Sequence, residues 1–189
     1  MRYPPDQKTK ARDEILQAGA QALRVSGFNG IGVDGLAAAA GVTSGAFYSN
    51  FKNKEALLEG VIGTFLGKPF IDSTGSIDER RELLRQWLET YISDYHRENP
   101  AVGCVMPTLS ADVARANPAV REAYRIRMTE LICKVTAVLT GPEEERERRA
   151  WSIVAMMIGA IAIARAMPDG ADSQRAIKNT LEAALAIVH

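Results

Sequence analysis

Eight consecutive residues, Thr43-Ser44-Gly45-Ala46-Phe47-Tyr48-Ser49-Asn50, place hydroxyl and amide side chains beside small ones. Such groups donate to and accept from base edges and phosphate oxygens. Phe47 and Phe51 stand one helical turn apart, so in a helix they form an aromatic stripe for a core. Thr43, Ser44, Ser49 and Asn50 are then left as hydrogen-bonding groups, with Tyr48 beside them. On spacing alone, the segment fits a capped helix of an ordinary bundle equally well. Catalytic chemistry finds less material. His96 and His189 are the only histidines and lie far apart, so neither a His-based metal site nor a Ser-His-Asp triad is indicated. Cys104 and Cys133 form no CxxC, and Gly30-Ile31-Gly32 lacks the strand and spacing of a phosphate loop. An all-helical enzyme for an apolar substrate would need clustered acids, bases or metal ligands. None is found, so no catalytic residue, metal or cofactor is expected, and the chain is read as a non-enzyme.

The elements that must hold the segment are helical. The 189 residues are 47% hydrophobic and carry 23 Lys or Arg against 23 Asp or Glu. That excludes a disordered tail protein and a chain that holds nucleic acid by bulk charge alone. Residues 1–14 are too polar for a signal peptide, and the longest apolar stretch, Ala150 to Ala164, falls short of the ~20 residues of a membrane span. A cytoplasmic protein without membrane contact is expected. Apolar positions recur at helical spacing, and strand signals are nearly absent. Helices are expected over about 9–25, 33–40, 43–50, 53–66, 77–97, 101–116, 118–140, 142–167 and 172–188. Gly41, Asn53, the Ser76–Glu79 capping box, Asn117-Pro118 and Asp172 serve as boundaries. Gly67-Lys68-Pro69 and Asp72-Ser73-Thr74-Gly75 read as a connector.

The second and third of these helices are joined only by Gly41-Val42, the tight turn that a helix-turn-helix requires. The whole run from Gly32 to Leu58, with its apolar second helix, Ala40-Gly41-Val42, small-residue third helix, Phe47-Tyr48-x-x-Phe51 and Lys54-Glu55-x-Leu57, resembles the N-terminal domain of TetR-family transcriptional regulators. The resemblance covers about residues 9–66. It implies an all-α fold of about nine helices, with a helix-turn-helix domain at 1–52 and an effector-binding and dimerisation domain at 53–189. It further implies a repressor released from a palindromic DNA operator by a small apolar effector. Ser44, Gly45 and Ala46 sit where family members touch bases. Thr43, Tyr48, Asn50 and Lys54 sit where they touch phosphates, and Ser49 lies on the same helix. Lys8, Lys10 and Arg12 are candidates for flanking phosphates. Gly32-Val33-Asp34 departs from the pattern, because many relatives begin this helix with a phosphate-contacting Thr, and Asp34 would repel a phosphate that it faced. Residues 1–60 hold seven Lys or Arg against six Asp or Glu, so two subunits would be needed for useful affinity. The alternative is an all-helical small-molecule-binding or interaction protein that has lost DNA binding.

Further along, Ile153, Val154, Met156, Met157, Ile161 and Ile163 make the eighth expected helix apolar on most sides. It is either a central core helix or, as in the family, pairs with the ninth helix and their copies to form a homodimer. Trp87, Tyr91, Tyr95, Cys104, Met106, Tyr124, Met128 and Trp151 are either core residues or the lining of an effector pocket. Trp87, Tyr91 and Tyr95 are spaced by four and so are expected on one helix face. Cys104 is either an inert buried thiol or, as in some relatives, a sensor of oxidants or electrophiles. Cys133 is expected in the core.

Overall fold

The computed structural model describes residues 5–67 and 74–189, with side chains from residue 9 onward. Most of the expected connector, and the side chain of Lys8, lie outside the described residues. Among those described the protein is all-α, with ten α-helices, one 3₁₀ turn and no strand. The helices are α1 (Pro5–Ser26), α2 (Val33–Ala39), α3 (Ser44–Asn50), α4 (Lys54–Phe65), α5 (Ile77–Tyr91) and α6 (Asp94–Glu98). After a 3₁₀ turn at Pro100–Val102 follow α7 (Met106–Ala114), α8 (Pro118–Thr136), α9 (Glu143–Ala166) and α10 (Ala171–Ala186).

The extra helix comes from a break in the one expected over 77–97. Helix α5 stops at Tyr91, and Ser93 starts α6 by accepting the His96 N–H at 3.1 Å while donating to the Thr90 carbonyl at 2.8 Å. Tyr95 therefore leaves the face of Trp87 and Tyr91, and it is 68% exposed. Two further expectations are corrected. The last helix is capped at Gly170, with Ser173 bonded to its backbone, instead of at Asp172, which pairs with Arg175. Cys133 is exposed, because the face that carries Leu131, Ile132 and Val135 turns it outward.

The chain forms two compact units. The first comprises the described residues up to Leu66 together with Pro100–Arg127, and the second comprises the described residues from Gly67 to Asn99 together with Met128–His189. The α4 and 100–127 segments thus pack with the first three helices, beyond the division placed at residue 52. In the first unit Ile15, Leu16, Ala20 and Leu23 of α1 meet Leu57, Leu58, Val61 and Ile62 of α4, all of them buried. A fully buried side chain of this size contributes ~1.5–3 kcal/mol relative to exposure. Gly19 allows the close approach of the two helices, since a Cβ there would stand 2.9 Å from a Leu57 methyl. Val105, Met106, Leu109 and Val113 complete this core.

In the second unit α9 packs against α10 and α6, burying Ile153, Val154, Met157, Ala160, Ile161 and Ala164. By length and composition alone α9 could cross a membrane, but its apolar face already has protein partners. Arg149, only 4% exposed, donates to the carbonyls of His189 at 3.0 Å, Ile187 at 3.3 Å and Thr140. Arg165 ties α9 to α6 through the carbonyls of His96 and Arg97, at 2.5 and 3.1 Å.

Candidate nucleic-acid interface

The turn between α2 and α3 is built locally. Gly41 has φ +66°, a left-handed conformation that costs glycine little, and the Gly41 and Val42 N–H groups return to the Ala38 and Ala37 carbonyls at 3.0 Å each. Thr43 then caps α3, its Oγ1 accepting the Ala46 N–H at 3.1 Å. Phe47 and Phe51 are fully buried with ring centroids 5.8 Å apart, which bears out the aromatic stripe. They fix the rotation of α3, and its other side faces solvent. Thr43, Gly45 and Ser49 are exposed, Tyr48 is 55% exposed, and Ser44, Ala46 and Asn50 are half-buried.

Several of the expected contact groups already hold bonds. Ser44 Oγ donates to Asp34 Oδ1 at 2.6 Å, linking the first turns of α2 and α3. Ser49 Oγ donates to the Gly45 carbonyl at 3.0 Å, and Asn50 Nδ2 to the Ala46 carbonyl at 2.9 Å. Tyr48 sets its ring edge-on to Phe47, 5.6 Å between centroids, leaving the phenol outward. Asn53 caps α4 by accepting the Ala56 N–H at 2.8 Å, as its sequence position suggests. The ammonium of Lys54, in the first turn of α4, rests 4.2 Å above the Phe28 ring.

Two groups brace this surface: Arg12, expected from the sequence only at a flanking phosphate, and Asp112, which sequence reasoning missed. Arg12 holds its guanidinium over Phe51, 4.2 Å from the ring centroid, and donates to the Asn50 carbonyl at 2.7 Å, closing the end of α3 against α1. Asp112 of α7 accepts the Phe28 N–H at 3.0 Å and pairs with Arg115. Only the clustering of basic residues near 8–12 hinted at Arg12, and no local pattern marks Asp112.

The residues expected to line an effector pocket divide between the units. In the first unit Met106 is buried, while Cys104 and Tyr124 are half-buried. Tyr124 shares a 2.8 Å hydrogen bond with Ser110, whose hydroxyl also lies 2.8 Å from the Met106 carbonyl. Burial pushes the Tyr124 phenol above its ordinary pKa. Arg24 supplies a cation electrostatically coupled to Cys104, which sequence alone did not place there. Its guanidinium donates to the Ala101 carbonyl at 3.0 Å and lies 5.4 Å from the Phe65 ring, and burial lowers its pKa. In the second unit Trp87, half-buried, and Tyr91, buried, have ring centroids 5.3 Å apart, and Tyr91 meets His96 edge-on at 4.5 Å. Met128 is buried, and Trp151 is 47% exposed. No group of three His, Cys, Asp or Glu with metal-ligating geometry occurs among the described residues.

The geometry describes a helix-turn-helix with a braced, outward-facing second helix. Residues 15–61 match the family model of bacterial regulatory proteins, tetR family. The HTH-type transcriptional repressor KstR2 of Mycolicibacterium smegmatis is 39% identical over 62 residues, 33% of this chain and 30% of that protein. The HTH-type transcriptional repressor DhaR of Mycobacterium sp. strain GP1 is 25% identical over 120 residues, 63% of this chain and 61% of that protein. The chain therefore spans less than two thirds of either relative. In fold, a TetR transcriptional regulator from Chloroflexus aurantiacus is similar over 96% of this chain and 95% of its own, with TM-score 0.75 at 19% identity. The tetR match is thus confined to the N-terminal helix-turn-helix, while the fold is similar to that of TetR-family structures over most of the chain.

Proposed function

We propose that this chain is a DNA-binding transcriptional repressor that acts as a homodimer on a palindromic operator and leaves it when a small apolar effector binds. The observation that carries the reading is α3, capped by Thr43 and seated on Phe47, with Thr43, Gly45, Tyr48 and Ser49 facing solvent. In such motifs the second helix enters the major groove with its N-terminal side chains at base edges. Ser44, Gly45 and Ala46 are assigned to bases, and Thr43, Tyr48, Asn50 and Lys54 to phosphates. Two such heads need spacing of about 34–36 Å to read successive turns of a duplex.

Helices α9 and α10 are assigned to the dimer contact. Trp151, Ala155, Gly159 and Ile163 recur every four residues on α9, and all but the half-buried Gly159 are exposed. A Cβ at Gly159 would meet nothing within 4 Å, so a second helix has room to approach there. For the effector, lining is assigned within one unit at a time: Cys104, Met106 and Tyr124 in the first, or Trp87, Tyr91 and Met128 in the second, each set apolar with a few polar tips. The exposed Trp151 suits the subunit contact better. Release requires that the effector bind the DNA-incompetent state more tightly, since equal affinity for both states shifts nothing. Such a protein acts in the cytoplasm, where its operator lies.

A labelled duplex from the chain's own upstream sequence, titrated with protein at several salt concentrations and paired with sedimentation analysis, tests the reading. Saturable, salt-sensitive binding by a dimer is expected. A monomer at high concentration, or no shift at any salt, would refute it and favour an interaction module without DNA binding.

A further inference from the structure

Asp34 stands on the first turn of α2, and its carboxylate accepts the one hydrogen bond that the Ser44 hydroxyl can donate, at 2.6 Å. A free serine reads any base, because it both donates and accepts. With its proton committed, Ser44 can only accept, and so can the remaining lone pairs of Asp34. The two side chains together present an acceptor-only surface with one negative charge at the start of α3. In the major groove only the adenine N6 and cytosine N4 amino groups are donors. Guanine offers N7 and O6, and thymine offers O4, all of them acceptors.

We infer that Asp34, through Ser44, sets base preference: at the operator position that this pair faces, each half-site carries an amino-bearing base, cytosine or adenine. This rests on the DNA-binding reading of α3 and assigns one position of its site. Asp34 acts against guanine and thymine by placing lone pairs against lone pairs, and against phosphate by its charge. It leaves positions read by other residues untouched. Thr43 is not equivalent, since its oxygen accepts the Ala46 N–H and no carboxylate holds its proton.

The test is selection of duplexes from a randomised library by the full-length chain and by Asp34→Asn, with Asp34→Ala as a second variant and circular dichroism as the folding control. Asparagine donates as well as accepts, and alanine frees the Ser44 proton, so both variants readmit guanine and thymine. The native chain should favour cytosine or adenine by on the order of fivefold to tenfold at one position per half-site. The variants should lower that ratio to near one there and leave the other positions unchanged. A native preference with no position selective for cytosine or adenine, or a preference that both folded variants retain, overturns the inference alone. A native chain that enriches no sequence overturns the DNA-binding reading and this inference with it.

Discussion

Replacing Lys54 by methionine separates the charge of this residue from its packing. The ammonium rests 4.2 Å above the Phe28 ring, so its stem is laid along apolar surface and a methionine side chain can follow the same course. What disappears is one cation at the start of α4, held where a phosphate is expected. A neutralised phosphate contributes about −0.9 to the slope of log affinity against log salt, so a dimer loses about 1.8 from the magnitude of its slope. Between about 50 and 200 mM salt, the native protein should therefore lose on the order of tenfold more affinity than the variant. The cation–π contact is half-exposed and worth only about 0.5–1 kcal/mol, so the fold should survive. Fluorescence anisotropy on one operator and one scrambled duplex, at five salt concentrations, measures both slopes. The decrement should be the same on the two duplexes, because phosphates carry no sequence. An unchanged slope would remove Lys54 from the interface, and a decrement seen only on the operator would mean that it reads a base.

Arg149→Met keeps the volume of a buried side chain but removes the donors to the carbonyls of Thr140, Ile187 and His189. Water reaches part of this site, so a loss of about 2–3 kcal/mol is expected in urea denaturation, and a loss below about 1 kcal/mol would deny the clamp its role. Glu79 accepts the Ser76 backbone N–H and then its hydroxyl, and these bonds hold its carboxyl below the ordinary glutamate pKa. A depressed folded-state pKa gives stability that is present above the unfolded value, near 4.3, and is lost as pH falls through the folded one. Carboxyl NMR should place the Glu79 midpoint below that of an unfolded control, and Glu79→Gln should remove this part of the acid dependence of α5. A midpoint at or above the control would contradict the capping box as the cause.

Local rules carried the sequence reading where the cause was local. Asn53, Ser76 and Asn117 cap their helices as their spacing suggests, because each bond joins residues three apart. The Gly41-Val42 turn and the Phe47–Phe51 stripe were legible for the same reason. The break between α5 and α6 was not. Trp87, Tyr91 and Tyr95 sustain a spacing of four that reads as one helix, and only the two bonds of Ser93 reveal the interruption. Cys133 follows two core residues in sequence, yet a helix turns each residue about 100° from the last, so its neighbours' burial did not extend to it. The braces of α3 were out of reach. Asp34 to Ser44, Arg12 to Asn50 and Asp112 to Phe28 join positions 10, 38 and 84 residues apart, and chain order does not encode such pairings.

The first compact unit is interrupted in sequence, since the chain leaves it after Leu66 and re-enters at Pro100. An exchange of this head for another by one cut would fall after α4. Here a single cut would strip Val105, Met106, Leu109 and Val113 from the graft and leave the Phe28 amide without its carboxylate. A working chimaera should need two junctions, carrying the 100–127 segment across with the head that it covers.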